Sequence, residues 1–274
     1  MRLWAISDLH LSIEANRAAL RALPARPEDW LIVAGDVCEA LPLFAEAMGF
    51  LAGRFARVLW TPGNHELWLR ARDGGLRSSV EKYAALVELA RRAGVDTPED
   101  PYPRWPSGEV VAPLFTGFDY SFRPSAIRRD AVLRWAAETR CVSADERLIR
   151  PAPFERMDEW CAHLCDVAEA RLAREVPPET GTILVSHYPL RGDLVRIPRI
   201  PRFTPWCGTV RTADWHRRFR AVVAVSGHLH VRRTDWRDGT RFEEVSLGYA
   251  RQWDSARGLA AYLRDVTPDG AASF

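Results

Sequence analysis

Apolar positions in this chain come in short blocks, and five of the blocks run straight into polar turns. The blocks are Leu3-Trp4-Ala5-Ile6-Ser7, Trp30-Leu31-Ile32-Val33-Ala34, Arg57-Val58-Leu59-Trp60, Thr182-Ile183-Leu184-Val185-Ser186 and Ala221-Val222-Val223-Ala224-Val225-Ser226. Runs this short, bounded by turn formers, predict buried strands. The turns behind them are Asp8-Leu9-His10, Gly35-Asp36, Thr61-Pro62-Gly63-Asn64-His65-Glu66, His187 and Gly227-His228-Leu229-His230. Asp8/His10 and His228/His230 each sit two apart, so in extended chain each pair addresses one side. In the third turn Pro62 cannot extend a ladder and Gly63 frees the backbone, which aims Asn64 and His65 outward.

Helical stretches separate the strands. Glu14 to Leu23 is rich in helix formers and stops at Pro24, and Pro42 to Leu51 closes at Gly53. Two such crossovers predict parallel neighbours. Ser78-x-x-Glu81 predicts a capping box and Gly94 a stop for a third helix. Prolines 98, 101, 103 and 106 make a loop before a strand at Val110 to Phe118. Residues 121–178 are Arg-rich and strand-poor, with a helix from Phe154 to Glu175, and read as a cap-like helical insertion over one end of the sheet. Residues 188–208 carry Pro189, Pro198, Pro201 and Pro205, which predicts a stiff loop without regular structure. Val231 to Trp236 and Arg241 to Leu247 flank Asp238-Gly239 as a hairpin, and Gly258 to Val266 reads as a last strand, giving roughly ten strands. No repeat or low-complexity segment interrupts this, so residues 1–274 are expected to form a single α/β domain.

Composition narrows the class. With 274 residues, 47% of them apolar, the chain can bury a core without staples. A net charge of +2 gives no reason to expect a nucleic-acid partner. Of 38 basic residues only Lys82 is lysine, which matters because Arg grips phosphate with two parallel bonds. Five cysteines without metal-site spacing and no secretory leader predict reduced thiols and a cytoplasmic protein. No window approaches a membrane span.

Five of the seven histidines fall in the ligand turns. His163, Cys161, Cys165 and His216 lack that context and read as structural. The donors Asp8, His10, Asp36, Asn64, His187, His228 and His230 include no thiolate, which favours manganese, iron or zinc. They are too many for one catalytic ion. If Asp36 bridges, they divide into two sets of four around ions roughly 3.5–4 Å apart, as in two-metal hydrolases.

As a set, Asp8-x-His10, Gly35-Asp36, Gly63-Asn64-His65-Glu66, His187 and Gly227-His228-x-His230 resemble the calcineurin-like metallophosphoesterases, in order and context. The resemblance implies a two-sheet β-sandwich flanked by helices, layered α/β/β/α, with two divalent transition-metal ions at the strand ends. It places Asp8, His10, Asp36 and His230 on one ion, and Asp36, Asn64, His187 and His228 on the other. His65 would not ligate but protonate the leaving oxygen, oriented by Glu66 or Asp36, while a hydroxide bridging the ions attacks phosphorus.

Substrate contacts are expected from Tyr188 and the loop residues Arg191, Arg196, Arg199 and Arg202. The clusters Trp206 to Thr209 and Gly248 to Trp253 either pack the core or line the pocket. A covering insertion and an Arg-rich loop predict a confined pocket, hence a small phosphorylated metabolite or nucleotide as mono- or diester. The alternatives are a metal-bound scaffold without turnover, which His65 argues against, and a nuclease, which the near-neutral charge argues against.

Overall fold

The computed structural model describes residues 1–71 and 73–268. Among them nine strands form two sheets. The first holds β1 (Leu3–Ile6), β2 (Arg26–Val33), β3 (Phe55–Trp60) and β9 (Arg264–Asp265) in the order β3-β2-β1-β9. The second holds β4 (Val110–Leu114), β5 (Thr182–Ser186), β6 (Ala221–Ser226), β7 (Arg233–Arg237) and β8 (Thr240–Glu244) in the order β4-β5-β6-β8-β7. All pairings are parallel except those of β9 with β1 and β7 with β8. The five expected strands therefore end on one edge of the molecule.

Alternation builds the layers, because successive residues of a strand point to opposite faces. Leu3, Ala5, Ile32, Ala34 and Leu59 of the first sheet face Val111, Ile183, Val185, Val223 and Val225 of the second in one buried inter-sheet core. Leu31, Val33, Val58 and Trp60 point the other way. They pack on α1 (Glu14–Arg21), α2 (Leu41–Ala52) and α4 (Ser79–Arg92) through Leu20, Phe44, Met48, Leu51, Leu86 and Val87. Between β3 and α4 the single-turn helix α3 (Asn64–Leu67) carries Asn64 and His65. At the head of α4 Ser78 Oγ accepts from the Glu81 amide at 3.1 Å, whereas the Glu81 carboxylate takes the Arg77 amide, so half of the expected capping box forms.

The segment 121–178 is not one insertion. Its long helix is the outer layer of the second sheet: after α5 (Val132–Ala137) and α6 (Asp145–Leu148), α7 (Met157–Glu175) lays Cys161, Cys165, Ala168 and Leu172 on Val110, Ala112, Leu114 and Leu184. It is the crossover between parallel β4 and β5. Only the stretch before it lies outside the layers. The short helix α8 (Trp215–Arg218) buries His216, whose Nε2 sits 2.9 Å from Asp238 Oδ2.

Two further expectations change. The proline-rich loop contains 3-10 turns at Gly192–Leu194 and Pro201–Trp206, a geometry proline tolerates where no amide donor is needed. The last strand shrinks to Arg264–Asp265, because 3-10 turns at Ser255–Arg257 and Leu259–Tyr262 bury Leu259, Tyr262 and Leu263 on one side instead of alternating them. The hairpin forms as expected, with Asp238 and Gly239 at φ 51° and 79°.

Candidate dinuclear metal centre

The ligand turns are bent rather than extended. Asp8, His10, Asp36, His228 and His230 all have positive φ, between 43° and 73°. Such a conformation costs roughly 1–3 kcal/mol per non-glycine residue and persists only where neighbours hold it. Here each turn holds the next: the amides of Asp8 and His10 donate to the carbonyls of Gly35 and Asp36 at 2.9 and 3.0 Å, and Gly248 donates to Asp8 at 3.0 Å. Two glycines allow the approach, since a Cβ at Gly63 would collide with the Asp36 carboxylate and one at Gly227 with Ser7 and Asp8.

All seven expected donors converge. Asp8 Oδ1 lies 2.9 Å from His230 Nε2, which lies 3.2 Å from His10 Nε2. Asn64 Oδ1 lies 3.2 Å from His187 Nε2 and 3.1 Å from His228 Nδ1, and those two nitrogens are 3.2 Å apart. Asp36 Oδ1 is 3.6 Å from His187 Nε2. Asp36 shares one cluster of potential ligand atoms with Asp8 and His187 and another with His10 and His65, the position a bridging carboxylate needs.

The donor set suits a cation. His187 Nδ1 lies 2.9 Å from the Ala34 carbonyl and must donate to it, so Nε2 carries a lone pair. Asn64 Nδ2 donates to Asp145 Oδ1 at 3.0 Å, so Asn64 Oδ1 faces the imidazoles. Two acceptors thus meet, with His228 Nδ1 at 3.1 Å from the oxygen and 3.2 Å from the nitrogen. On the other side Gln252 Oε1 takes both the Tyr249 amide and His230 Nδ1 at 2.8 Å, again turning Nε2 inward. Burial pushes the imidazoles of His187 and His228 down, and burial together with His65 takes His10 down to about 3, leaving those three in the neutral form that ligation requires, whereas for His230 burial is outweighed by the neighbouring Asp8, which holds the ring up. Burial, Asp8 and Glu66 push Asp36 up. The residues fit a pair of divalent ions.

His65 sits beside this cluster, its Nε2 3.9 Å from Asp36 Oδ2. Asp36 Oδ1 accepts the His65 amide at 2.9 Å, but the ring is held by neither Glu66 nor Asp36. Glu39 Oε1 lies 3.0 Å from His65 Nδ1, and Ser12 donates to the other carboxylate oxygen. Burial opposes the charge on Glu39, but these two bonds outweigh it and bring the carboxyl down to about 2. Glu66 instead accepts the amides of Asp36, Val37 and Gly63 at 2.9, 2.8 and 3.1 Å, clamping the β2 turn to the β3 turn. Glu39 was visible in the sequence only as a carboxylate three residues beyond Asp36.

A cleft of about 460 Å³ opens onto the cluster, lined by Ile197, Arg199, Ile200, Phe203, Tyr249 and Arg251 around the ligands. A larger depression of about 710 Å³ near Ser12 and Leu41 contains none of the ligand turns, so chemistry rather than size selects the site. Of the four loop arginines only Arg199 lines the cleft. Arg191 pairs with Asp193, Arg196 reaches Asp235 and Arg202 binds Glu138 and the Trp135 carbonyl, each drawn off by a nearer acceptor. Tyr188 is buried against His187 and His228, behind the donors rather than in the cleft. Among the described residues none from 121–178 lines it, so the insertion adds no cover and, of the two segments expected to wall the site, the 188–208 loop alone does so.

The sandwich and its ligand turns define a class. The chain belongs to the calcineurin-like phosphoesterases, whose family model matches residues 1–232, and it is a metal-dependent hydrolase of phosphoester bonds. Over 272 residues it is 43% identical to the [acyl-carrier-protein] phosphodiesterase PptH of Mycobacterium tuberculosis, covering 97% of this chain and 83% of that protein. The crystal structure of phosphopantetheinyl hydrolase PptH from the same organism superposes with a TM-score of 0.92 at 42% identity, over 98% of this chain and 96% of the other.

Proposed function

We propose that this enzyme cleaves the phosphodiester joining 4′-phosphopantetheine to a serine of a carrier protein, releasing phosphopantetheine and the free serine hydroxyl. The substrate class is taken from PptH, and a cleft walled by the 188–208 loop but not capped by 121–178 suits a diester presented on a protein better than the small metabolite that a confined pocket would favour. The reaction class rests on one observation above all: Asp36 shares one cluster of possible ligand atoms with Asp8 and His187 and another with His10 and His65, as a carboxylate between two ions would.

In this reading Asp8, His10, Asp36 and His230 hold one ion, and Asp36, Asn64, His187 and His228 the other. The ions are manganese, iron or zinc. When bound, they supply Lewis acidity to the phosphoryl oxygens and lower the pKa of the attacking water. The remaining work belongs to side chains. His65 gives the proton on Nε2 to the departing serine oxygen, and Glu39 fixes the ring by holding Nδ1. Arg199 and Arg251 face the non-bridging oxygens or the acidic groups beside them, and Tyr249, whose phenol burial and Asp36 push up to about 12, stays a hydrogen-bond donor. Ile197, Ile200 and Phe203 form an apolar wall along which the pantetheine arm can lie. Free cysteines and the absence of any membrane-crossing helix among the described residues accord with a cytoplasmic setting.

The test is to incubate purified enzyme and manganese with a phosphopantetheinylated carrier protein and follow its mass. Loss of the arm is expected. A metal-replete enzyme that leaves the carrier intact while turning over small phosphomonoesters would refute the substrate assignment.

A further inference from the structure

The stretch between β4 and α7 sends one side chain into the back of the centre. Asp145, at the start of α6, is 2% exposed. One of its oxygens, Oδ1, accepts from Asn64 Nδ2 at 3.0 Å and from Trp68 Nε1 at 2.6 Å. The Trp68 ring in turn lies on His65, with centroids 3.7 Å apart. The second oxygen, Oδ2, is buried without a hydrogen-bond partner, so this carboxylate is not there to satisfy its own surroundings.

A carboxamide has two ends of nearly equal shape, and only one of them can ligate. Packing alone does not decide whether Asn64 turns its oxygen or its nitrogen to His187 and His228. A carboxylate does, because it only accepts and therefore draws the NH2 end to itself. We propose that Asp145 is the positioning residue that orients Asn64, and thereby sets how tightly the ion shared with His187 and His228 is held. The proposal rests on the two-ion reading above. It gives the irregular segment ahead of α7 a task in the centre although none of it lines the cleft.

Chelator-stripped full-length protein is titrated with manganese in a calorimeter, as wild type, Asp145→Ala, Asn64→Ala and the double variant. Partners of this kind are worth about 10–100-fold in metal affinity. Asp145→Ala should weaken one of two sites by that factor and leave the other unchanged. Added to Asn64→Ala, it should change that site by less than about twofold, since the group it orients is already gone. Two unchanged affinities in Asp145→Ala, or losses that add in full in the double variant, overturn the proposal. Asp145→Leu, which fills the space without accepting, replaces the alanine variant if that one fails to fold. Wild type that binds no manganese overturns the two-ion reading as well; wild type with two ions and an unaffected Asp145→Ala overturns this inference alone.

Discussion

Replacing Glu39 by Gln tests how His65 is made to work. The substitution keeps the shape and one acceptor for His65 Nδ1, now at 3.0 Å from Oε1, but removes a charge that the bonds from His65 and Ser12 keep in place down to about pH 2. A hydrogen bond to a charged group is worth about 1.5–3 kcal/mol against about 0.5–1.5 for a neutral one, so the change costs about 1–1.5 kcal/mol. At 1.36 kcal/mol per decade that is roughly a 5- to 12-fold loss in kcat, with KM little altered. Glu39→Ala, which removes the whole bond, should lose about 10–150-fold by the same conversion. The assay compares two phosphodiesters differing only in leaving group, one a serine-like alkoxide and one a nitrophenolate. Nitrophenolate departs without a proton, so the loss should be confined to the alkyl ester. In a His65→Ala background, itself down by about 10²–10⁴ on the alkyl ester, Glu39→Gln should add less than about twofold. Equal losses on both esters, or full additivity with His65→Ala, would show that Glu39 does not act through a proton donor.

Three further outcomes follow from the same geometry. Arg199→Ala and Arg251→Ala should each raise KM for the carrier-protein diester by about tenfold, the worth of one charge-assisted contact, whereas Arg191→Ala and Arg196→Ala should leave it within about twofold, measured by initial rates. Lys82 is fully buried, and its Nζ donates to the Glu39 carbonyl at 2.7 Å, to Asp73 at 3.1 Å and to the Trp68 carbonyl. Lys82→Met strands all three acceptors and should cost about 3–5 kcal/mol in denaturant unfolding, and Lys82→Arg should not restore it, because a planar guanidinium cannot replace one point donor. For acid stability, the Glu39 carboxyl lies at about 2 in the folded protein and near its ordinary value, about 4.5, once unfolded. The unfolded chain therefore takes up that proton first, and this contribution is present above the ordinary value and lost as pH falls towards 2. Glu39→Gln should flatten the acid limb of stability over that window in chemical unfolding followed by circular dichroism.

What could be read in advance was local, and what could not was long-range. An apolar block followed by a donor is written in consecutive residues, so all five strand ends and all seven candidate ligands could be located. The backbone of those turns was not legible: two-apart spacing suggested extended chain, whereas Asp8, His10, His228 and His230 reach the cluster in left-handed bends held by a neighbouring turn. Partner choice was hidden for the same reason. His65 meets Glu39 across 26 residues and Asn64 meets Asp145 across 81, pairings that only packing creates. The arginine-rich loop misled because three of its four arginines have different nearest acids in space. α7 misled because a helix crossing between parallel strands and a helix of an insertion read alike when the strand after it lies seven residues past the helix end.

The centre also joins the two halves of the sandwich. The first sheet delivers Asp8, His10, Asp36 and Asn64, and the second delivers His187, His228 and His230, so each proposed ion would be gripped from both sides. Direct bonds follow the same line: His187 Nδ1 donates to Ala34, and Ser246 Oγ and the His228 amide donate to Asp8 Oδ2 at 2.7 and 3.0 Å. The Leu247 amide reaches the Ser7 carbonyl at 2.8 Å. Behind this seam lies the dry inter-sheet core of Leu3, Ala5, Ile32, Ile183, Val185 and Val223. The distance between donor sets is thus fixed by how that core packs, not by either sheet alone. Close-packed interiors transmit the loss of a methylene to their surroundings. A core truncation far from any donor would therefore move two half-sites relative to each other. On this fold the inter-sheet core therefore sets the spacing on which the proposed centre depends.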